Sequence, residues 1–439
     1  MMTNEFATGD EPDSRPLTAQ EQAIRSLSDR LVRAQRPLRV LPAIQWPASV
    51  ESAFFTAGAR ELPPVTADTY LATALPFEPV DKLEELRTIE RDIDLTLGRH
   101  PAGELLRRRC EEYRDVVGLL NARGTPEFSS ISRRLYQTTS TSTESRAVTA
   151  LFAALAPGDP TRPENLRKIF AAPEAVSILA DRLRPLIPPH IQVRVKMCDR
   201  IIADAAAGCD YVKLRRRAKF SVLDLALLEY HEGWVHLGTT INGLRQPYLA
   251  ALAKGPPSTA ATQEGLAVLC ELLAGVCHAG RLARLWRRTQ AVRMAEGGAD
   301  FLQVYRFFFR HTDEPHDSYQ QTARVFRGCL PSGAGGFAKD LCYSLGLYRV
   351  VDALSLAAAA RHADIVGLLF AGKVALTELP ALSRLADAGL VTRPGIIPPP
   401  FLDRRALAQR LASLRPAARQ YVPDAKTSSA PALATRLTP

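Results

Sequence analysis

Residues 221–243 read SVLDLALLEYHEGWVHLGTTING, and their reading decides the fold of the region around them. Ser221 can cap a helix, and Asp224 three residues on can reach back to it. The apolar run that follows ends in His231-Glu232-Gly233-Trp234-Val235-His236, two histidines flanking a glutamate. Neutral imidazoles, an open position for water and a carboxylate beside that water are what a hydrolytic zinc site needs. The spacing is HExxxH rather than HExxH. In a regular helix, residues five apart diverge by roughly 140°, so both rings would not reach one ion. A π-type bulge or a loosened turn inside the motif restores convergence. Gly233, which tolerates unusual backbone angles, lies between the histidines, and Gly238 and Thr239 follow as helix terminators.

Upstream of this helix lie two period-two patterns. Ile191, Val193 and Val195 alternate with polar residues in IQVRVK (191–196), and Val212 and Leu214 do so in YVKLR (211–215). Each has one apolar face, which predicts a small half-exposed sheet leading into the motif helix. Downstream, QEGLAVLCELL (263–273) opens a second apolar helix with Glu264 in its first turn. Glu264 is the obvious third ligand, although an acid there also suits a helix N-terminus. Glu271, seven residues on and on about the same face, is a reserve ligand or a partner for a histidine.

Further out the chain reads helical. Thr18 and Glu21 form a capping box ahead of Ile24, Leu27 and Leu31 on one face. Charged helices with spaced leucines fill 81–121, broken at His100-Pro101, and GTPEF (124–128) reads as a loop. The polar start (1–16) and the Ser/Ala/Thr/Pro-rich tail (422–439) are expected to be disordered. Between them we expect a mainly helical region over 17–135 and a metallopeptidase domain over 136–421. The fold class is α+β, helix-rich, with a small sheet beside the motif helix.

The 439 residues are 46% hydrophobic and 23% charged, with a net charge of +10. That balance is ordinary for a globular protein, and the positive surplus favours anionic partners such as acidic peptides or a substrate carboxylate. Aromatics are not interleaved with the basic clusters, so nucleic acid is not expected as a partner. The runs LRRRAKF (214–220) and RLARLWRR (281–288) read as solvated faces. No run approaches the 18 or so apolar residues of a membrane helix, and the N-terminus lacks the pattern of a secretory signal, so a cytoplasmic protein without a membrane partner is expected. Seven scattered cysteines without a CxxC pair read as reduced thiols. Nothing here fixes an oligomeric state.

Six ordered strings carry a resemblance: HEGWVHLGTTING (231–243), RQP (245–247), TQEGLAVL (262–269), RVFRG (324–328), FAKDLCYSLG (337–346) and LLFAGKVAL (368–376). Together they resemble the QEGLA-motif family, which includes the microtubule-associated tyrosine carboxypeptidases and bacterial proteins labelled as modulators of flavohaemoglobin expression. The resemblance runs from about residue 190 to 400, with weaker similarity back to about 40. It implies a zincin-like metallopeptidase core, Zn2+ held at His231, His236 and Glu264, and Glu232 as the catalytic acid/base. The family string F-T-K-D-x-x-Y appears here with Ala338 in place of the threonine, while Lys339, Asp340 and Tyr343 remain.

The expected activity is removal of a C-terminal residue, aromatic or apolar, from a peptide or protein. Glu232 would move the proton between water and the leaving amine, and Tyr343 is a candidate donor to the oxyanion. Arg324, Arg327 and Lys339 are candidates for the substrate carboxylate, because guanidinium forks and ammonium groups suit it. Asn242, Arg245 and Gln246 follow the motif helix and are candidates for orienting substrate. Two other readings stand beside this one: a zinc hydrolase acting on a modified peptide or amide, and a regulatory protein that retains zinc without catalysis.

Overall fold

The computed structural model describes residues 15–155, 163–199, 201, 203–208, 210–333, 335–360 and 364–419. The start of the chain to residue 14 and the tail from 422 lie outside these residues. Helices dominate, and the sheets are small, which matches the helix-rich α+β expectation. The N-terminal helix Ala19–Gln35 carries the expected capping box of Thr18 and Glu21, with Ile24, Leu27 and Leu31 buried. Helices Pro79–Leu97 and Pro101–Asn121 meet at the expected break, where the His100 ring accepts the Ala102 N–H at 3.2 Å. GTPEF is a loop only at Gly124 and Thr125: Pro126 opens the helix Pro126–Leu135 at a position where a missing N–H costs nothing.

The strands Arg194–Cys198, Ala205–Ala207 and Tyr211–Arg215 form one sheet with Tyr211–Arg215 in the middle. The first pairs with it in parallel and the second antiparallel. Tyr211–Arg215 lies where its alternation places it, whereas the first strand starts three residues later than IQVRVK suggested. The short Ala205–Ala207 edge has no apolar–polar alternation in its sequence, so no period-two signal marks it. Val212 and Leu214 pack with Ala175, Leu179 and Leu183 of helix Ala172–Leu183 in a core of their own.

The main core joins the N-terminal helices to the rest of the chain, with Ile24, Leu31 and Leu106 in the same cluster as Leu252, Leu266 and Leu347. At its centre helix Thr259–Leu273 crosses helix Leu341–Ala359 at backbone contact. A Cβ on Gly265 would sit 2.2 Å from the Gly346 carbonyl oxygen, and one on Gly346 would sit 1.9 Å from that of Ala261. Both glycines are therefore required by the crossing itself. The span Ala338–Ala359 is long and apolar enough to cross a membrane, contrary to the expectation that no such run exists. Here it is a core helix, most of it buried inside the protein, and its apolar character is used in packing.

Candidate metal centre

The motif helix changes geometry within its length. Residues Val222–Leu228 are α-helical, with Ser221 and Asp224 capping each other as expected, and Glu229–Leu237 then form a π-helix. The widened turn bonds residues five apart, as in the Gly238 N–H donating to the Gly233 carbonyl. His231 and His236 therefore come onto one face, with ring centroids 4.8 Å apart. Gly233 is not there for an unusual backbone angle, since its φ is not positive. A Cβ at this position would lie 2.2 Å from Leu183 Cδ2, so glycine admits the close approach of helix Ala172–Leu183. Gly238 and Thr239 do not end the helix either, which continues as Gly238–Leu244. The Thr239 hydroxyl donates back to the Val235 carbonyl at 2.7 Å, and the Thr240 hydroxyl to that of His236 at 2.8 Å. Hydroxyls thus satisfy carbonyls at the exit from the widened turn.

Helix Thr259–Leu273 brings Glu264 to the pair. Glu264 Oε2 lies 3.3 Å from His231 Nε2 and 3.5 Å from His236 Nε2, and the three ligand atoms all lie within 4.8 Å of one another. That oxygen is buried and has no hydrogen-bond partner, while Oε1 accepts from Lys339 Nζ at 3.3 Å. A buried carboxylate oxygen left unpaired between two imidazole nitrogens is costly on its own and is what a cation would satisfy. Burial pushes the Glu264 carboxyl up, but Lys339 and the two histidines outweigh it and hold it well below the usual range. It stays ionised and able to ligate.

Glu271 occupies the role open to it as a histidine partner. Its Oε1 lies 2.6 Å from His231 Nδ1, and Arg281 grips the same carboxylate at 3.1 and 2.9 Å. A carboxylate on Nδ1 fixes the ring and turns Nε2 toward Glu264. Burial pulls His231 down, but Glu264 and Glu271 overcome it and raise its pKa to about 9, whereas burial dominates at His236 and lowers it. In this arrangement a proton on His231 balances charge that a divalent ion would otherwise balance.

Glu232 is buried beside this group, and its Oε2 accepts the Ala207 N–H at 2.7 Å. The edge strand thus fixes the carboxylate. Tyr343 stacks at 6.3 Å from the His231 ring, and burial with Glu264 raises its pKa, keeping the phenol protonated and able to donate. Lys339 and Tyr343 meet the centre, but Arg324 does not contact it: its guanidinium forks onto Asp340 at 3.0 and 2.6 Å. Asn242 holds Phe370 and Ile396 backbone groups through three hydrogen bonds, and Gln246 holds Ala371 and Thr392. Both brace loops behind the motif helix, and Arg245 lies exposed with its guanidinium against Gly395. Arg327 is buried over the Phe337 ring at 5.1 Å.

Sequence reading missed two contributors. Lys373 donates to the His236 carbonyl at 2.8 Å, to Gln263 Oε1 at 3.1 Å and to Thr239 Oγ1 at 3.3 Å, so it ties the histidine helix to the glutamate helix. No spacing rule marks it. The run 281–288 is the other: it is not simply solvated, because Arg281 is paired to Glu271 and Arg288 is buried. Positions 281, 284 and 288 recur at helical spacing on one face, which is the signal that was available.

His231, His236 and Glu264 thus form a group that could hold a metal ion, with the Glu232 carboxylate and the Tyr343 phenol beside it. A family model described as microtubule-associated tyrosine carboxypeptidase matches residues 52–419. No curated protein matches the chain.

Proposed function

The chain belongs to the microtubule-associated tyrosine carboxypeptidase family, and we propose that it is a zinc-dependent carboxypeptidase acting on a peptide or protein C-terminus. The observation that carries the metal reading is the buried, unpartnered Oε2 of Glu264 between the two Nε2 atoms. His231, His236 and Glu264 would hold the ion, with Glu271 and Arg281 fixing the His231 ring. Zinc, when bound, supplies Lewis acidity that polarises a carbonyl and makes water easier to deprotonate. Two imidazoles and one carboxylate suit it, and three protein ligands leave a position open.

Glu232 accepts the proton of the attacking water on its carboxylate and delivers it to the leaving amine. The Ala207 N–H holds one oxygen of that carboxylate and leaves the other for the proton. Tyr343 donates to the oxyanion as the carbonyl becomes tetrahedral. Substrates ending in aromatic or apolar residues are the class to test first.

Elemental analysis of purified protein tests the site. About one zinc per chain is expected in wild type, with loss in both His236→Ala and Glu264→Ala. Zinc in Glu232→Gln with no release of a C-terminal residue from any peptide that wild type cuts would place the carboxylate in the chemical step. Protein without zinc, or zinc indifferent to both ligand substitutions, would overturn the assignment.

A further inference from the structure

Helix Ala279–Glu296 presents Arg281, Arg284 and Arg288 at positions i, i+3 and i+7, a single stripe about two turns long. Arg281 ends on Glu271 beside His231, so one end of the stripe is at the metal centre. Across from the stripe, Arg324 and Arg327 come from the end of helix Pro315–Phe326 and the residue after it. One acid serves this second group, and Arg324 takes both of its oxygens: Asp340. Arg288 is 8% exposed, and it donates a hydrogen bond to the neutral Gln321 at 2.9 Å. Arg327 is 7% exposed, and its Nε is buried with no hydrogen-bond partner. Among the described residues neither forms an ion pair, and Asp340, the acid that acts on both, is bonded to Arg324.

A guanidinium does not shed its proton in a protein, so these are permanent charges in a poorly solvated place. Burial, with Arg324 nearby, pushes Arg288 down to about 9 and Arg327 to about 10, and the single carboxylate of Asp340, shared with Arg324, does not offset it. Asp340, Lys339 and Tyr343 sit on one turn and the helix start that follows it, so the arginine group and the metal centre share a wall. Lys339 faces Glu264 from that wall, Asp340 faces Arg324, and Tyr343 faces His231.

We propose that Arg288 and Arg327, flanked by Arg284, form an anion subsite that takes the α-carboxylate of the peptide substrate. This rests on the carboxypeptidase reading and assigns the group that distinguishes a chain end from an internal peptide bond. Arg324 and Lys339 are not the carboxylate receptors, because Asp340 and Glu264 already occupy them. A planar carboxylate suits guanidinium forks, and a free phosphate would satisfy the same chemistry.

The test uses zinc-loaded full-length Glu232→Gln protein, so that peptides bind uncut, with and without Arg288→Met or Arg327→Met. The probes are an acetylated tripeptide ending in tyrosine, the same peptide as its C-terminal amide, and inorganic phosphate. Calorimetry should show the free acid binding at least about tenfold tighter than the amide, with the preference lost in each arginine variant. Each methionine should also raise the melting temperature of the ligand-free protein, because it replaces a buried cation that makes no ion pair with an apolar side chain of similar length. That second readout needs no peptide and no zinc. Equal binding of acid and amide, phosphate bound more tightly than the acid, or melting temperatures lowered by methionine would overturn the subsite. Absence of zinc from wild type would instead overturn the metal centre and leave the melting arm standing.

Discussion

At the scale of single residues, the centre depends on side chains one step behind the ligands. Lys373 bonds the His236 carbonyl and Gln263, the neighbour of Glu264, and so fixes the separation of His236 and Glu264, the two proposed ligands it ties together. Lys373→Met keeps the length and removes the donor. Outer contacts of this kind are worth about 10- to 100-fold in metal affinity. We expect the variant to fold and to bind zinc about 10- to 100-fold more weakly in chelator competition; unchanged affinity would show that the threonine hydroxyls alone hold the turn. Glu112 supplies a pH signature away from the metal. It accepts the Ser258 N–H at 2.5 Å and the Ser258 hydroxyl at 2.7 Å, yet burial outweighs both and raises its pKa from 4.5 to about 7. The folded state then holds more protons than the unfolded chain between those values. Its contribution favours folding below about pH 4.5 and is lost as pH rises through about 7. Glu112→Gln is neutral throughout, so wild type should lose melting temperature relative to it between pH 5 and pH 8. A difference that does not change with pH would contradict the shift.

At the scale of elements, two local geometries create the site: a widened turn and a glycine crossing. The first was legible in part. Five-residue spacing of His231 and His236 is incompatible with a regular helix on one ion, so the sequence demanded a bulge, and the π-helix Glu229–Leu237 supplies it. Its causes were not legible, because they are tertiary: Leu183 presses against Gly233, and hydroxyls of Thr239 and Thr240 close the exit. The crossing was invisible. Gly265 and Gly346 stood in quoted strings, but only the approach of two backbones explains them. Likewise Ala205–Ala207, whose N–H holds Glu232, is a strand because its neighbour pairs with it rather than because of its own alternation. Gly346→Ala would drive a methyl into the Ala261 carbonyl and tilt helix Thr259–Leu273, which carries Glu264. Overpacking of this kind costs about 1–3 kcal/mol. We expect a lower melting temperature together with loss of zinc, read on the same preparation; retained zinc at lower stability would mean that the helices part without moving the glutamate.

At the scale of the whole molecule, a buried ion pair is one route by which the N-terminal helices reach the candidate metal centre. Arg109 of helix Pro101–Asn121 forks onto Glu378 at 2.9 and 3.0 Å and donates to the carbonyls of Ala251 at 2.5 Å and Lys373 at 2.7 Å. Lys373 in turn bonds the His236 carbonyl through its side chain, so hydrogen bonds at the two ends of Lys373 link the helix at 101–121 to His236. Arg109→Ala leaves Glu378 buried and uncompensated, an effect worth about 3–5 kcal/mol. Replacing both partners with apolar residues, Arg109→Met with Glu378→Leu, often restores stability where a pair is only a pair. Here it should restore part of it, because the Lys373 carbonyl still loses its donor, at about 1–3 kcal/mol, while that of Ala251 keeps the Lys254 N–H at 3.0 Å. Zinc affinity should fall in both variants, since the Lys373 backbone is freed in each. Full recovery of stability in the double variant would mean that solvent or neighbours satisfy the Lys373 carbonyl. Weakened stability with unaltered zinc affinity would mean that the loop carrying Lys373 is positioned from the catalytic side alone, by the Lys373 N–H bond to Leu252 at 2.7 Å.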